Sequence, residues 1–281
     1  MTGPAFASVG FGLASAASWG AGDFSGGLAS RRAHVLGVVV VSQAVGLGIL
    51  LALAIVQSQP LPPLVKLAWG SAAGLSGAVG LVALYRALAI GVMGAVAPVT
   101  AVLAAALPVL FGALSEGLPS MVKLAGFGLA LAGVWTLSRP EGPAGRPEGL
   151  GLALLAGLGF GGFFILIDQA RDVALVWPLV SARATSSILT LSIALAGRRR
   201  AWLPPRGLLP LVLLAGILDV GGNAFFVLAA QAGRLDVSAV LASLYPAATV
   251  VLARVVLKER VTRARALGIT AALVAIPLIA A

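Results

Sequence analysis

Arg183 and Asp219 each lie inside a long apolar run, where an unpaired ionised side chain costs roughly 2.5–3.5 kcal/mol or more. Arg183 stands 15 residues before Arg198, and Asp219 stands 13 residues after Arg206. At about 1.5 Å of helix rise per residue, both sit roughly 20 Å below the same surface, on consecutive antiparallel helices. Two roles are open to them. They neutralise one another as an ion pair, or they hold a solute, the guanidinium suiting a carboxylate and the carboxylate an ammonium. Asp219, Asn223 and Phe226 fall at i, i+4 and i+7 on one helical face. That face either lines a cavity or hydrogen-bonds a neighbouring helix through Asn223. Trp19 and Asp23 share a face of the first apolar run. Trp19 lies mid-run, whereas Trp69, Trp135, Trp177 and Trp202 lie near the ends, where tryptophan anchors to a membrane interface. A mid-run Trp is either lipid-facing packing or a cavity wall suited to stacking on an apolar solute. Gln43, Tyr85, Thr100, Ser243 and Tyr245 are further candidates for lining such a cavity. Pro98, Pro108 and Pro246 free carbonyls inside helices and are candidate hinges.

These residues need elements to position them, and composition fixes the solvent of those elements. The 281 residues are 60% hydrophobic and 10% charged, against about 25% charged in soluble domains. So much apolar surface requires lipid around it. With no cysteine and one histidine, His34, thiolate chemistry and His-rich metal sites are excluded, and no metal or other cofactor is expected. None of the three lysines follows a glycine, so there is no nucleotide-phosphate loop and no ATPase function in this chain. The net charge of +10 resides mostly between the apolar runs. It therefore reads as membrane orientation rather than nucleic-acid binding. An intramembrane enzyme would have only Asp23 and Asp219 as an acid pair, which keeps that reading a distant alternative.

Ten apolar stretches, near 4–28, 35–57, 65–89, 92–114, 119–138, 149–169, 174–196, 207–231, 236–257 and 263–281, each approach the roughly 20 residues of a spanning helix. Glycines recur within them, among them Gly70, Gly74, Gly80, Gly151, Gly157, Gly161, Gly216 and Gly222, as close helix packing in lipid requires. The chain also repeats itself. At an offset of 139, Gly12, Leu13, Ala14, Ala17, Gly20, Gly22 and Phe24 recur; at 142, Gly74, Gly80, Ala87 and Gly91 recur; at 143, Glu116 falls on Glu259. The expected architecture is an all-α polytopic membrane protein of ten transmembrane helices. Two five-helix repeats, 1–139 and 149–281, are joined by a connecting loop at 140–148. Because five is odd, the second copy enters the membrane from the opposite side, an inverted-topology repeat of the kind that builds alternating gates around a midplane site. Glu116 and Glu259 close their helices where the dipole disfavours an acid; they lock loops or serve as coupling sites.

Two five-helix units, each with a Pro-containing fourth helix ending in Leu114-Ser-Glu116-Gly or Leu257-Lys-Glu259-Arg, resemble the EamA family of the drug/metabolite transporter superfamily. The likeness extends over essentially the whole chain and is nearest to bacterial aromatic and neutral amino-acid exporters. The first turn, Ser-Glu-Gly, departs from the family's usual pattern. The resemblance implies a secondary exporter in the inner (plasma) membrane whose partners are a small-molecule substrate and the bilayer. Proton coupling and uncoupled movement are both open, since Asp23 and Asp219 are the only deep acids. Efflux of lipophilic cations is the alternative cargo class. The resemblance also implies cytoplasmic termini. Loop charge points the other way: twelve basic residues follow odd-numbered spans and four follow even-numbered ones, which places the termini outside.

Overall fold

The computed structural model describes residues 3–90, 93–115, 117–137, 149–196, 203–256 and 263–280. Among them every regular element is helical: α1 (Gly3–Ser30), α2 (Val35–Val56), α3 (Leu64–Ile90), α4 (Met93–Ser115), α5 (Met121–Leu137), α6 (Leu150–Asp168), α7 (Val176–Ala196), α8 (Leu209–Ala232, preceded by a 3-10 turn at Arg206–Leu208), α9 (Leu235–Ala242), α10 (Tyr245–Val256) and α11 (Arg263–Ala280). Glu116, Glu259 and the connecting segment 140–148 lie outside the described residues.

Nine of the ten expected stretches correspond to single helices. The stretch 236–257 does not: it is α9 and α10, broken at Ser243–Leu244. Pro246, in the first turn of α10, has no N–H for the Ala242 carbonyl, and its ring crowds that turn. The chain passes the break on tighter bonds, Leu244 N–H to the Leu241 carbonyl at 3.1 Å and Ala247 N–H to the Leu244 carbonyl at 2.9 Å.

Among the described residues, five helices are long and apolar enough to cross a membrane: α2, α3, α6, α7 and α8 with its leading turn. Shorter apolar helical segments lie at Val99–Ser115, Met121–Thr136 and Leu235–Thr249. Side chains are distributed in the reverse of a water-soluble protein. Ile55, Leu114, Ile188 and Leu195 are exposed, while Ser15, Gln43, Thr100, Arg183 and Ser186 are buried. Polar groups turned inward and leucines turned outward fit a hydrocarbon solvent.

The principal packing is between the halves rather than within them. α1 lies on α8, α9 and α10; α3 lies on α6 and α7; α2 lies on α7 and α8; α4 lies on α6; and α5 lies on α11. These contacts are reciprocal. With α9–α10 counted as one span, advancing each helix by five turns the α1–α8 contact into α6–α3, and α4–α6 into α9/α10–α1. Close approach rests on missing side chains. A Cβ on Gly74 of α3 would lie 2.1 Å from the Ala182 carbonyl oxygen of α7, and one on Gly20 of α1 would lie 2.4 Å from the Tyr245 carbonyl oxygen of α10. Contact this close is how helices hold together in lipid, where no hydrophobic effect drives them. Gly151 is exposed and meets open space, so it plays no such part.

Candidate substrate cavity

A cavity opens where α1, α2, α3 and α4 meet α6, α7, α8 and α10, with about 670 Å³ of space counted out to its mouth. Arg183 reaches into it from α7. Its Nη1 pairs with Asp219 Oδ2 of α8 at 2.5 Å and donates a hydrogen bond to Gln43 Oε1 of α2. Only 6% of the Arg183 side chain and 18% of the Asp219 side chain are exposed, so the pair is removed from water and stands only because each charge neutralises the other. Gly46 packs beside the arm, where a Cβ would lie 2.6 Å from Val220 Cγ2 of α8. The other guanidinium nitrogen, Nη2, is buried without a hydrogen-bond acceptor. Asp23 of α1 lines the same cavity and forms no salt bridge among the described residues.

The apolar wall is aromatic. Phe160, Phe163 and Phe164 of α6 line it with Trp19. Trp19 stacks on Phe164 at a centroid distance of 5.5 Å, and Phe163 meets Phe164 edge-on at 6.1 Å. Gly222 of α8 lets the indole in, since a Cβ there would lie 2.4 Å from its Cδ1. Ser15 Oγ donates to the Gly222 carbonyl at 2.8 Å and fastens α1 to α8 beside it.

Residues 147–281 match the EamA-like transporter family. Those residues, just under half of the chain, are similar to that family. That family is one of membrane transporters of the drug/metabolite type, not of enzymes. No curated protein matches. A solved structure described as "Crystal structure of protein" is similar over 96% of this chain and 95% of its own, with a TM-score of 0.75 and 19% identity. That likeness is one of fold, and it extends through both halves.

The half that carries the match contributes Arg183, Asp219, Asn223 and Tyr245 to the cavity, and the first half contributes Trp19, Asp23 and Gln43. Those seven sequence candidates are brought together. Trp19 is a cavity wall rather than lipid-facing packing, and Arg183 and Asp219 are joined as a pair. Four candidates lie elsewhere. Phe226 stands one layer behind the wall, fully buried and stacked on Phe164 at 4.4 Å. Tyr85 is fully buried against α1, its hydroxyl over Gly26. Thr100 Oγ1 donates to the Val96 and Ala153 carbonyls at 3.1 Å, tying α4 to α6. Ser243 sits in the α9–α10 turn, its Oγ buried with no hydrogen-bond partner. Of the prolines, Pro246 is at the helix break; Pro98 and Pro108 lie within the unbroken α4. Sequence reasoning missed Ser186 and the phenylalanines of α6. Ser186 follows Arg183 by three residues on one face, and Phe160-Gly-Gly-Phe-Phe164 is an aromatic i, i+3, i+4 set; both signals were present.

Proposed function

We propose that the protein is a secondary exporter of the inner (plasma) membrane. Its ten spans form two inverted five-helix repeats that expose one central cavity alternately to each side. Its cargo is small amphipathic metabolites, in particular amino acids, aromatic ones included. One observation carries this reading: the cavity is shared by both halves and offers a guanidinium with a donor to spare, a carboxyl without a counterion among the described residues and an aromatic wall. A zwitterionic amino acid matches all three. Its carboxylate supplies the acceptor that Arg183 Nη2 lacks, its ammonium meets Asp23, and its side chain lies on Trp19 and the α6 phenylalanines.

The reciprocal packing of helices between the halves supports the duplication. The interrupted α9–α10 span supports a binding site there, because discontinuous helices mark the solute sites of many inverted-repeat carriers. Pro246 then serves as a hinge, with Pro98 and Pro108 as its counterparts in the first half. A second reading, efflux of lipophilic cations, draws support from Asp23, which has no salt-bridge partner among the described residues, and from the aromatic wall beside it.

Purified protein in liposomes, preloaded with labelled amino acids or cationic dyes, separates the two. Counterflow of amino acids and not of dyes is the expected result. Counterflow of dyes alone transfers the cavity to the second reading, and no flux of either class ends the carrier reading.

A further inference from the structure

α2 carries two polar side chains in an otherwise apolar run, Ser42 and Gln43. Ser42 is satisfied inside its own helix, its Oγ donating to the Val39 carbonyl at 2.9 Å. Gln43 looks outward from that helix. It is buried, it lines the cavity, and its Oε1 accepts a hydrogen bond from Arg183 Nη1 of α7. That partner decides which end of the amide it receives. A guanidinium has N–H donors and no lone pair to offer. Beside Arg183 only the amide oxygen is tolerated, and the NH2 of Gln43 is left for the cavity.

The guanidinium itself is bonded unevenly. Nη1 serves both the Gln43 oxygen and the Asp219 carboxylate, whereas Nη2 is buried with no acceptor. A donor left bare in a buried site has lost its water without compensation. What Arg183 and Gln43 together hold out to a solute is therefore donors alone, the Nη2 hydrogens and the Gln43 NH2. The Asp219 carboxylate beside them is already neutralised by Arg183.

We propose that Gln43 is a specificity-determining residue, which with Arg183 Nη2 forms a donor pole that selects solutes bearing a carboxylate. The proposal rests on the amino-acid reading and deepens it, by naming the group that the cavity checks and a residue that checks it. A carboxylate offers one oxygen to each donor. A carboxamide offers one oxygen and turns its own NH2 on the second donor. An amine without a carboxyl group leaves both donors bare. Arg183 attracts the charge, and the Gln43 NH2 tests whether a second oxygen comes with it.

Three probes with the same ring and the same ammonium test this: L-phenylalanine, L-phenylalaninamide and phenethylamine. They are titrated calorimetrically into the purified protein at about pH 6, where each ammonium is charged. The parent is expected to bind phenylalanine about ten- to a hundredfold more tightly than either of the others, the worth of a hydrogen bond to a charged group. Gln43→Glu keeps the shape and an oxygen for Arg183 and replaces the NH2 by a second acceptor. It is expected to weaken phenylalanine at least about tenfold and to leave phenethylamine no weaker than in the parent. Gln43→Met, which removes the amide and keeps the length, is expected to narrow the gap between phenylalanine and its amide, and it decides the matter should the Glu variant not fold. A parent that binds the amide or the amine as tightly as the amino acid overturns the proposal. So does a preference for phenylalanine that survives in both variants, or a loss shared equally by all three probes, which is the mark of a merely structural glutamine. Downhill uptake of labelled phenylalanine into liposomes is read separately. Flux without discrimination among the probes defeats the donor pole and leaves the carrier standing, whereas no flux defeats the carrier and the pole with it.

Discussion

Two salt bridges in this molecule have the same 2.5 Å separation and opposite surroundings. Arg183 and Asp219 meet in the cavity wall with 6% and 18% of their side chains exposed; Lys66 and Asp172 meet at the rim, between the start of α3 and the α6–α7 loop, with 20% and 63% exposed. Distance alone ranks them equal. Burial does not: at the rim, water already solvates both ions and their attraction adds little, whereas in the wall neither ion has water to return to. Strength here follows the cost of breaking a pair.

The largest expected effect follows from that asymmetry. Arg183→Ala strands the Asp219 carboxylate among apolar helices and is expected to cost roughly 3–5 kcal/mol in folding stability, with loss of transport. Adding Asp219→Ala removes the stranded charge, so the double variant is expected to be more stable than Arg183→Ala alone. Unfolding in detergent, read as a double-mutant cycle, measures the coupling; simple additivity would show that the two side chains do not act as a pair.

Next in size is the packing beside that pair. Gly222→Ala drives a methyl group to 2.4 Å from the Trp19 ring and is expected to cost about 1–3 kcal/mol, with weakened binding of aromatic probes. Gly151→Ala, which meets open space, is expected to cost nothing and provides the control. Equal thermal shifts for the two would mean that the cavity wall is as yielding as the periphery.

How far these contrasts could be read from sequence depends on what each one needs. The apolar spans were legible because burial in lipid leaves little polar residue to obscure them. The Arg183–Asp219 pair was legible because loop arginines fix the depth of both residues. The rest needed neighbours from distant parts of the chain. Three prolines look alike in sequence, yet Pro98 and Pro108 lie in an unbroken helix and Pro246 sits at a break; the difference is tertiary. Helical period gave Phe226 the face of Asp219 and Asn223, but period does not say how far along that face a cavity extends, and Phe226 lies behind it. Whether Asp23 has an ionic partner depends on which charges the neighbouring helices turn toward it, which no local pattern records. The α6 phenylalanines read as ordinary core in a helix that is apolar throughout.

Thr100 and Ser243 repeat the contrast at smaller scale, since the 143-residue offset that aligns Glu116 with Glu259 also aligns these two hydroxyls. The first bridges α4 to α6 and the second has no hydrogen-bond partner. Thr100→Val is expected to cost about 0.6 kcal/mol and at most about 1.7 kcal/mol, the range of hydrogen bonds between membrane helices. Ser243→Ala is expected to be neutral or mildly stabilising, because it deletes a buried group with nothing to bond. A larger loss at Ser243 than at Thr100 would mean that the turn hydroxyl has a partner in another state of the transport cycle.

The smallest effect belongs to the rim. The hydrogen bond from Lys66 holds the Asp172 carboxyl below its ordinary value of 3.8. A carboxyl depressed in the folded state adds stability that is complete above the unfolded value and is lost as pH falls through the folded one. Lys66→Ala is therefore expected to cost about 0–1 kcal/mol at neutral pH, less at high salt, and in strong acid only what its bond to the Gln169 carbonyl contributes. Lys66 Nζ also donates to the Gln169 carbonyl at 2.9 Å, a bond that does not depend on the charge of Asp172. Asp172→Asn isolates the ionic part: it removes the pH dependence while leaving that second bond in place. A neutral-pH loss in Lys66→Ala as large as that in Arg183→Ala would mean that burial is not what separates the two pairs, and that the rim rather than the cavity wall holds the halves together.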